Sequence, residues 1–201
     1  MKKIATLAFL FLFPCTLMAA GDDATKPTTP QTKYEKIITF RGVSMNASEK
    51  EFTEKVKGFT CRDARRGDDL EIENYYDRVC EANDDDEKAR TYVEEDADIS
   101  VFFIKDKLKM VFIYFSNSLT SDSELISKSN KVRQSLSDRF GYPNNYHDCS
   151  YHISNKQEPS AKDCQWQKTN GKIKDSILIG KYISMYSITY VSNDLDKKRW
   201  L

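Results

Sequence analysis

The chain has 201 residues, of which 39% are hydrophobic and 31% are charged. This balance is typical of one soluble globular domain of ordinary size. The 31 Lys and Arg residues equal the 31 Asp and Glu residues in number, so the formal net charge is zero. Because a nucleic-acid-binding domain needs a concentrated excess of basic residues, the composition argues against nucleic acid as a partner.

The first 20 residues have the three parts of a bacterial secretory signal peptide. A Met-Lys-Lys start precedes an apolar stretch over residues 4–13, and small residues lead up to Ala19 and Ala20. The apolar stretch is shorter than the roughly 20 residues that cross a membrane. We therefore predict cleavage after Ala19 or Ala20, export to the periplasm or the exterior, and no membrane span after processing.

Lipidation at Cys15 is an alternative, although the bulky residues before it differ from the small ones that lipoprotein processing prefers. Removal of residues 1–20 as a signal peptide leaves 29 basic and 31 acidic residues. Residues 21–33 are rich in Thr, Pro and charge, which predicts a flexible leader. The single folded domain is expected to cover residues 34–201.

Four cysteines follow the signal peptide: Cys61, Cys80, Cys149 and Cys164. An even number in an exported chain indicates disulfides, because that compartment is oxidising. Three pairings are possible, and we favour Cys61–Cys80 and Cys149–Cys164 because each pair is close in sequence. Each loop would contribute about 3 kcal/mol by the chain-entropy relation.

Two other uses of these cysteines are weaker hypotheses. A zinc site with His147 and His152 lacks the Cys-x-x-Cys spacing and would need free thiolates in an oxidising compartment. A catalytic Cys149 beside His147 would need an unpaired thiol. We predict neither a metal site nor a cofactor.

Two Ser-x-x-Glu capping boxes predict helix starts. Ser48 opens a short helix that is expected to end near Gly58, after a strand at residues 37–40. Ser121 opens a helix over about residues 122–140, with Gly141 as its C-cap.

Several strands are predicted from apolar and alternating runs. Residues 101–104 and 110–115 flank a charged turn and predict a central hairpin, with apolar residues on both faces. Further strands are expected at residues 149–153, 164–166, 177–179 and 182–191. The acidic run at residues 83–87 is interpreted as a solvated loop; calcium binding is an alternative, but the EF-hand order of ligands is missing.

These elements predict an α+β fold. We expect a mostly antiparallel sheet of about six strands with two helices packed on one face. Both halves show a capped helix, cysteines and a hairpin, which suggests two similar helix-plus-hairpin units.

Residues 42–52, Gly-Val-Ser-Met-Asn-Ala-Ser-Glu-Lys-Glu-Phe, resemble the strand-Gly-turn-helix opening of small exported bacterial domains. These include the families of the barrel-assembly accessory lipoprotein and the β-lactamase inhibitory protein. The helix of those families ends Leu-Gly-x-Pro; residues 58–61 depart from this, and residues 140–143, Phe-Gly-Tyr-Pro, look like it. The resemblance implies tandem helix-plus-sheet units, local disulfides and a protein-binding style, and no catalytic residue carries over.

The last predicted strand places Tyr182, Tyr186 and Tyr190 on one face. Tyrosine offers a large contact area with a polar tip at low entropy cost, as binding surfaces favour. With Trp166, these residues are the candidate binding surface; alternatively, the tyrosines only cover one face of the sheet.

The sequence contains none of the common catalytic or nucleotide-binding motifs. The first functional hypothesis is therefore an exported, non-enzymatic module that binds another protein of the envelope or exterior, as an inhibitor, immunity factor or assembly accessory. The alternatives are a periplasmic domain that binds a small molecule or glycan, and a small envelope hydrolase.

Overall fold

Seven antiparallel strands form the main sheet of the protein, whose computed structural model describes residues 34–64, 76–115, 121–145, 160–179 and 184–195. In spatial order they are β3 (Phe59–Asp63), β4 (Arg78–Ala82), β7 (Asp98–Ile104), β8 (Lys107–Phe115), β11 (Ser184–Ser192), β10 (Gly171–Ile179) and β9 (Ser160–Gln167). The predicted α+β class with a mostly antiparallel sheet is confirmed.

Two short hairpins and three helices complete the described part of the chain. The hairpins are β1 (Thr39–Phe40) with β2 (Val43–Ser44), and β5 (Thr91–Tyr92) with β6 (Glu95–Asp96). The helices are α1 (Glu49–Lys55), the single turn α2 (Glu87–Arg90) and α3 (Asp122–Phe140). In these residues no helix is long and apolar enough to cross a membrane.

Helix α3 has the bounds that its sequence predicts. The Ser121 hydroxyl accepts the Glu124 amide, and the Glu124 carboxylate accepts the Ser121 amide in return. The helix ends at Gly141, whose φ of 83° is a conformation that glycine adopts without steric cost.

Helix α1 is shorter than predicted. Ser48 caps it as expected, but the Glu51 carboxylate pairs with Lys55 on the next turn, 2.9 Å away. The helix ends at Lys55 rather than near Gly58, and Phe59 begins strand β3. Phe59 pairs with Ala82 of β4, which is distant in sequence. A local sequence pattern does not contain this contact, so it places the end of the helix too late.

The hairpin of β7 and β8 lies at the centre of the sheet, as predicted. Its turn residues Lys105 and Asp106 have φ values of 50° and 58°, the conformation of a tight two-residue hairpin turn. The predicted acidic loop at residues 83–87 contains a turn and the start of α2, since Asp86 caps that helix through the Ala89 amide.

The main core lies between the sheet and helices α1 and α3. It contains Leu125, Val132, Leu136 and Phe140 of α3, together with Phe52 of α1. The sheet contributes one face of its strands to this cluster: Ile99, Val101 and Phe103, Val111, Ile113 and Phe115, Ile173 and Ile177, and Tyr186, Ile188 and Tyr190. The opposite face of the sheet is therefore not covered by these helices.

Candidate functional site

The first predicted disulfide is confirmed. Cys61 and Cys80 are directly opposite in the register of β3 and β4, and their sulfurs are bonded. Cys164 is buried and disulfide-bonded. Its predicted partner, Cys149, lies outside the described residues, as do His147 and His152, so the Cys149–Cys164 pairing stays a prediction.

The predicted tyrosine surface is corrected by the burial of its members. Tyr186 and Tyr190 are 0% and 1% exposed, and Trp166 is 1% exposed. All three belong to the face of the sheet that the helices cover, so they are unable to contact a partner. Tyr182 lies outside the described residues.

The polar tips of Trp166 and Tyr190 form hydrogen bonds inside the protein. The Trp166 indole donates a hydrogen bond to the Gly141 carbonyl at 2.8 Å, and the Tyr190 hydroxyl pairs with that of Tyr92. Burial raises the pKa of Tyr190 to about 12 and raises the pKa of Tyr92 well above its usual value. Both tyrosines are therefore neutral at physiological pH and act as structural groups.

The most perturbed carboxylate among the described residues also belongs to the core. Asp175 of β10 is 0% exposed and accepts two hydrogen bonds from Arg133 of α3, at 2.5 Å and 3.2 Å. Burial raises the pKa of Asp175 to about 6, although Arg133 opposes the shift. A carboxylate with a strongly raised pKa is often a catalytic residue. Asp175, however, lies between a helix and the sheet, where a substrate does not reach it.

Alternation along β10 defines the uncovered face. Ile173, Asp175 and Ile177 point towards the helices and are buried, so Lys172, Lys174 and Ser176 point away. Because paired residues in a sheet share a face, the registers extend this assignment to all seven strands.

The uncovered face has one row of side chains that is buried at its centre. This row contains Val191, Met110, Phe102 and Val79, all at most 6% exposed. Tyr76 packs on it, with its ring 4.8 Å from that of Phe102.

The next two rows are open to solvent, and we call them the open band. The first row runs from β9 to β3 through Gln165, Lys174, Thr189, Phe112, Ser100, Glu81 and Thr60. The second contains Asp163, Ser176, Ser187, Tyr114 and Asp98. None of these twelve side chains is buried.

One end of the open band is basic and rich in amides. A groove of about 860 Å³ lies on β9, β10 and β11, and the loop after β11 forms its rim through Asn193 and Leu195. Gln165, Gln167, Lys172 and Lys174 line it. Lys174 pairs with Asp163 at 2.9 Å, so the one net positive charge of this groove comes from Lys172, which lies in the neighbouring row outside the band.

The other end of the open band is acidic. A groove of about 650 Å³ is lined by four carboxylates and one guanidinium, namely Glu81, Asp84, Asp85, Asp98 and Arg90. Asp84 is fully exposed and Asp98 is 60% exposed, although both lie within 4 Å of Arg90. The Arg62 side chain pairs with Glu81 at 3.3 Å, so two net negative charges remain.

Glu49, Cys61 and Cys80 form a cluster of residue types that often bind metals, but their groups are already engaged with each other and with Arg78. Glu49 lies within 4.8 Å of the Cys61 and Cys80 sulfurs. Those sulfurs are bonded to each other, and both oxygens of Glu49 accept hydrogen bonds from Arg78. The cluster is therefore a disulfide beside an ion pair.

Sequence reasoning missed the open band because it chose the wrong face of the last strand. The alternation of Lys172, Lys174 and Ser176 with buried neighbours is a signal for the outward face of β10. Pairing that strand with β11 would have placed Thr189 outward and Tyr190 inward. The register itself is a tertiary property that the sequence pattern does not contain.

Comparison of the chain with known protein families, curated proteins and solved structures finds no match. The likeness of residues 42–52 to small exported bacterial domains therefore stays a prediction.

Proposed function

We propose that this protein is an exported, non-enzymatic module that binds another protein of the envelope or exterior through the open band. The observation that carries the proposal is a sheet face with aromatic residues at its centre, Phe112 and Tyr114, that its own helices leave uncovered. Export is supported by the signal-like amino terminus and by the disulfide, which persists in oxidising compartments.

The chemistry of the band suits recognition of a folded surface. Half-buried aromatic side chains supply contact area, while the surrounding hydroxyls, amides and charges supply specificity at the rim. Both charged ends lie on the same face as the aromatic centre, so one partner is able to contact all three at once.

A second candidate is binding of a small polar ligand or glycan in the groove on β9, β10 and β11. Its amide and ammonium lining favours this alternative, because such groups hydrogen-bond to hydroxyl and carboxylate oxygens. A ligand of that size would depend on Gln165 and Lys172 but not on the distant Tyr114.

Capture of a partner from envelope extract tests the proposal when it is compared between variants. We expect Thr189→Arg, which places a bulky charge in the open band, to abolish a capture that the wild-type protein makes. Tyr142→Ala removes an aromatic residue that is 75% exposed and lies outside the band, and this control should capture normally. Equal capture by wild type and Thr189→Arg, with both folded by circular dichroism, would contradict the proposal.

A further inference from the structure

The open band carries a lysine and a glutamate at equal distances on opposite sides of its centre. β8 is the middle strand of seven, with three strands on each side. Lys174 lies two strands to one side of Phe112, and Glu81 lies two strands to the other side, in the same row. A face with this arrangement is complementary to itself under rotation about an axis along β8.

We infer that a second copy of this chain occupies the open band, as a face-to-face dimer whose two-fold axis runs along β8. This rotation places Lys174 of one copy over Glu81 of the other, twice in the dimer. It also places Thr189 over Ser100 and brings the two Phe112 side chains together at the axis. The inference adds an occupant to the surface on which the proposed function rests.

Charge selects this axis over the other possible one. A two-fold axis across the strands would place β10 over β10 and therefore Lys174 over Lys174. Like charges in direct contact across an interface are strongly unfavourable, whereas the axis along β8 pairs opposite charges. Both axes preserve the common twist of the two sheets, so shape alone does not choose between them.

Exposure of the two key side chains allows the contact. Lys174 is 44% exposed at its side chain and Glu81 is 48% exposed. Each has a partner in its own chain, Asp163 and Arg62, so each contact joins two ion pairs in a four-charge network. After removal of residues 1–20 the chain carries 29 basic and 31 acidic residues, so the long-range repulsion between two copies is weak.

The area of the face predicts a reversible dimer. Seven strands spaced about 4.8 Å apart span about 29 Å, and the two rows of the open band extend about 14 Å along the strands. Two copies together would bury about 800 Å², which is below the range of stable specific interfaces and typical of weak, transient ones. A dimer of this size exchanges readily, so it would protect the face and release it to a tighter partner.

Charge reversal tests the dimer by analytical ultracentrifugation over a concentration series. We expect wild type to dimerise at concentrations of hundreds of micromolar, and Lys174→Glu and Glu81→Lys each to raise the dimer dissociation constant at least about tenfold. A one-to-one mixture of the two variants should restore dimerisation, because the mixed dimer again pairs opposite charges at both contacts. Lys50→Glu, a reversal on the far side in α1 at a side chain that is 83% exposed, is the control and should behave as wild type.

A wild-type protein that stays monomeric at millimolar concentration would overturn the inference, as would single variants that dimerise normally or a mixture that does not. If the open band binds only a different protein, wild type stays monomeric and Thr189→Arg abolishes capture of that protein. The dimer is then wrong and the proposed function stands. If the wild type dimerises as expected but Thr189→Arg captures the partner as well as wild type does, the proposed function is wrong and the dimer stands.

Discussion

Asp175 and Arg133 show how a single buried pair couples this fold to pH. The carboxylate lies at the centre of β10, and α3 places Arg133 directly over it. Burial disfavours the charged carboxylate more than the guanidinium favours it, which raises the pKa of Asp175 to about 6 from its ordinary 3.8. Neither the charge pair nor its burial follows from the local sequence, because the two residues are 42 positions apart.

The raised pKa makes a signed prediction about stability. Between pH 4 and pH 6 the folded protein holds a proton on Asp175 that the unfolded chain has released, so this group's contribution to the free energy of unfolding falls by about 3 kcal/mol as pH rises. Urea unfolding of wild type and Asp175→Asn at several pH values should show their difference shrinking by that amount. Parallel profiles for wild type and Asp175→Asn would contradict the assignment.

Among the described strands β9 is an edge of the main sheet, and two asparagines form hydrogen bonds along this edge. The Asn145 side chain accepts the Gln165 amide and donates to the Asp163 carbonyl, at 2.8 Å and 2.7 Å. The Asn144 side chain accepts the Gln167 amide at 2.7 Å. An unprotected edge offers free backbone groups to other chains, and these side chains occupy them instead.

Crossed hydrogen-exchange measurements test this arrangement. Asn145→Ala should speed exchange at the Gln165 amide and leave Gln167 largely protected, because each amide has its own asparagine acceptor. Asn144→Ala should do the reverse, so each variant is the control for the other. Uniform acceleration along β9 in both variants would mean that the strand opens as a unit and that the asparagines do not act separately.

Elements differ in how much of them the sequence determines. Helix α3 covers the segment that the sequence predicts, about residues 122–140, because its capping box, apolar stripe, Gly141 and Pro143 all lie close together in the chain. Strands β3 and β4 were not predicted, because their polar sequences become strands only by pairing across residues that are distant in the chain.

At the scale of the whole molecule, the Cys61–Cys80 bond joins two strands that the sheet already pairs. The bond closes a loop with a sequence separation of 19. In the chain-entropy relation, closing such a loop destabilises the unfolded chain by about 3 kcal/mol.

Replacement of both sulfurs measures this contribution without reducing the bond at Cys164. Peptide mapping of the same protein without reductant should show Cys164 linked to Cys149.

We expect the free energy of unfolding of the double variant Cys61→Ala with Cys80→Ala, measured by urea denaturation, to be about 3 kcal/mol lower than that of wild type. A double variant as stable as wild type would mean that the strand pairing alone holds this part of the fold.

The sequence by itself determined the α+β class and helix α3 with its caps, and it favoured the Cys61–Cys80 pairing, because each depends on patterns or cysteines that lie close together in the chain. It identified tyrosines as a notable feature of the last strand but not the face on which they lie. Only the tertiary structure decided that Tyr186 and Tyr190 are core and that Thr189 is surface. The physical reason is that strand register and helix placement select which of two alternating faces is buried, and both are set by contacts between distant segments.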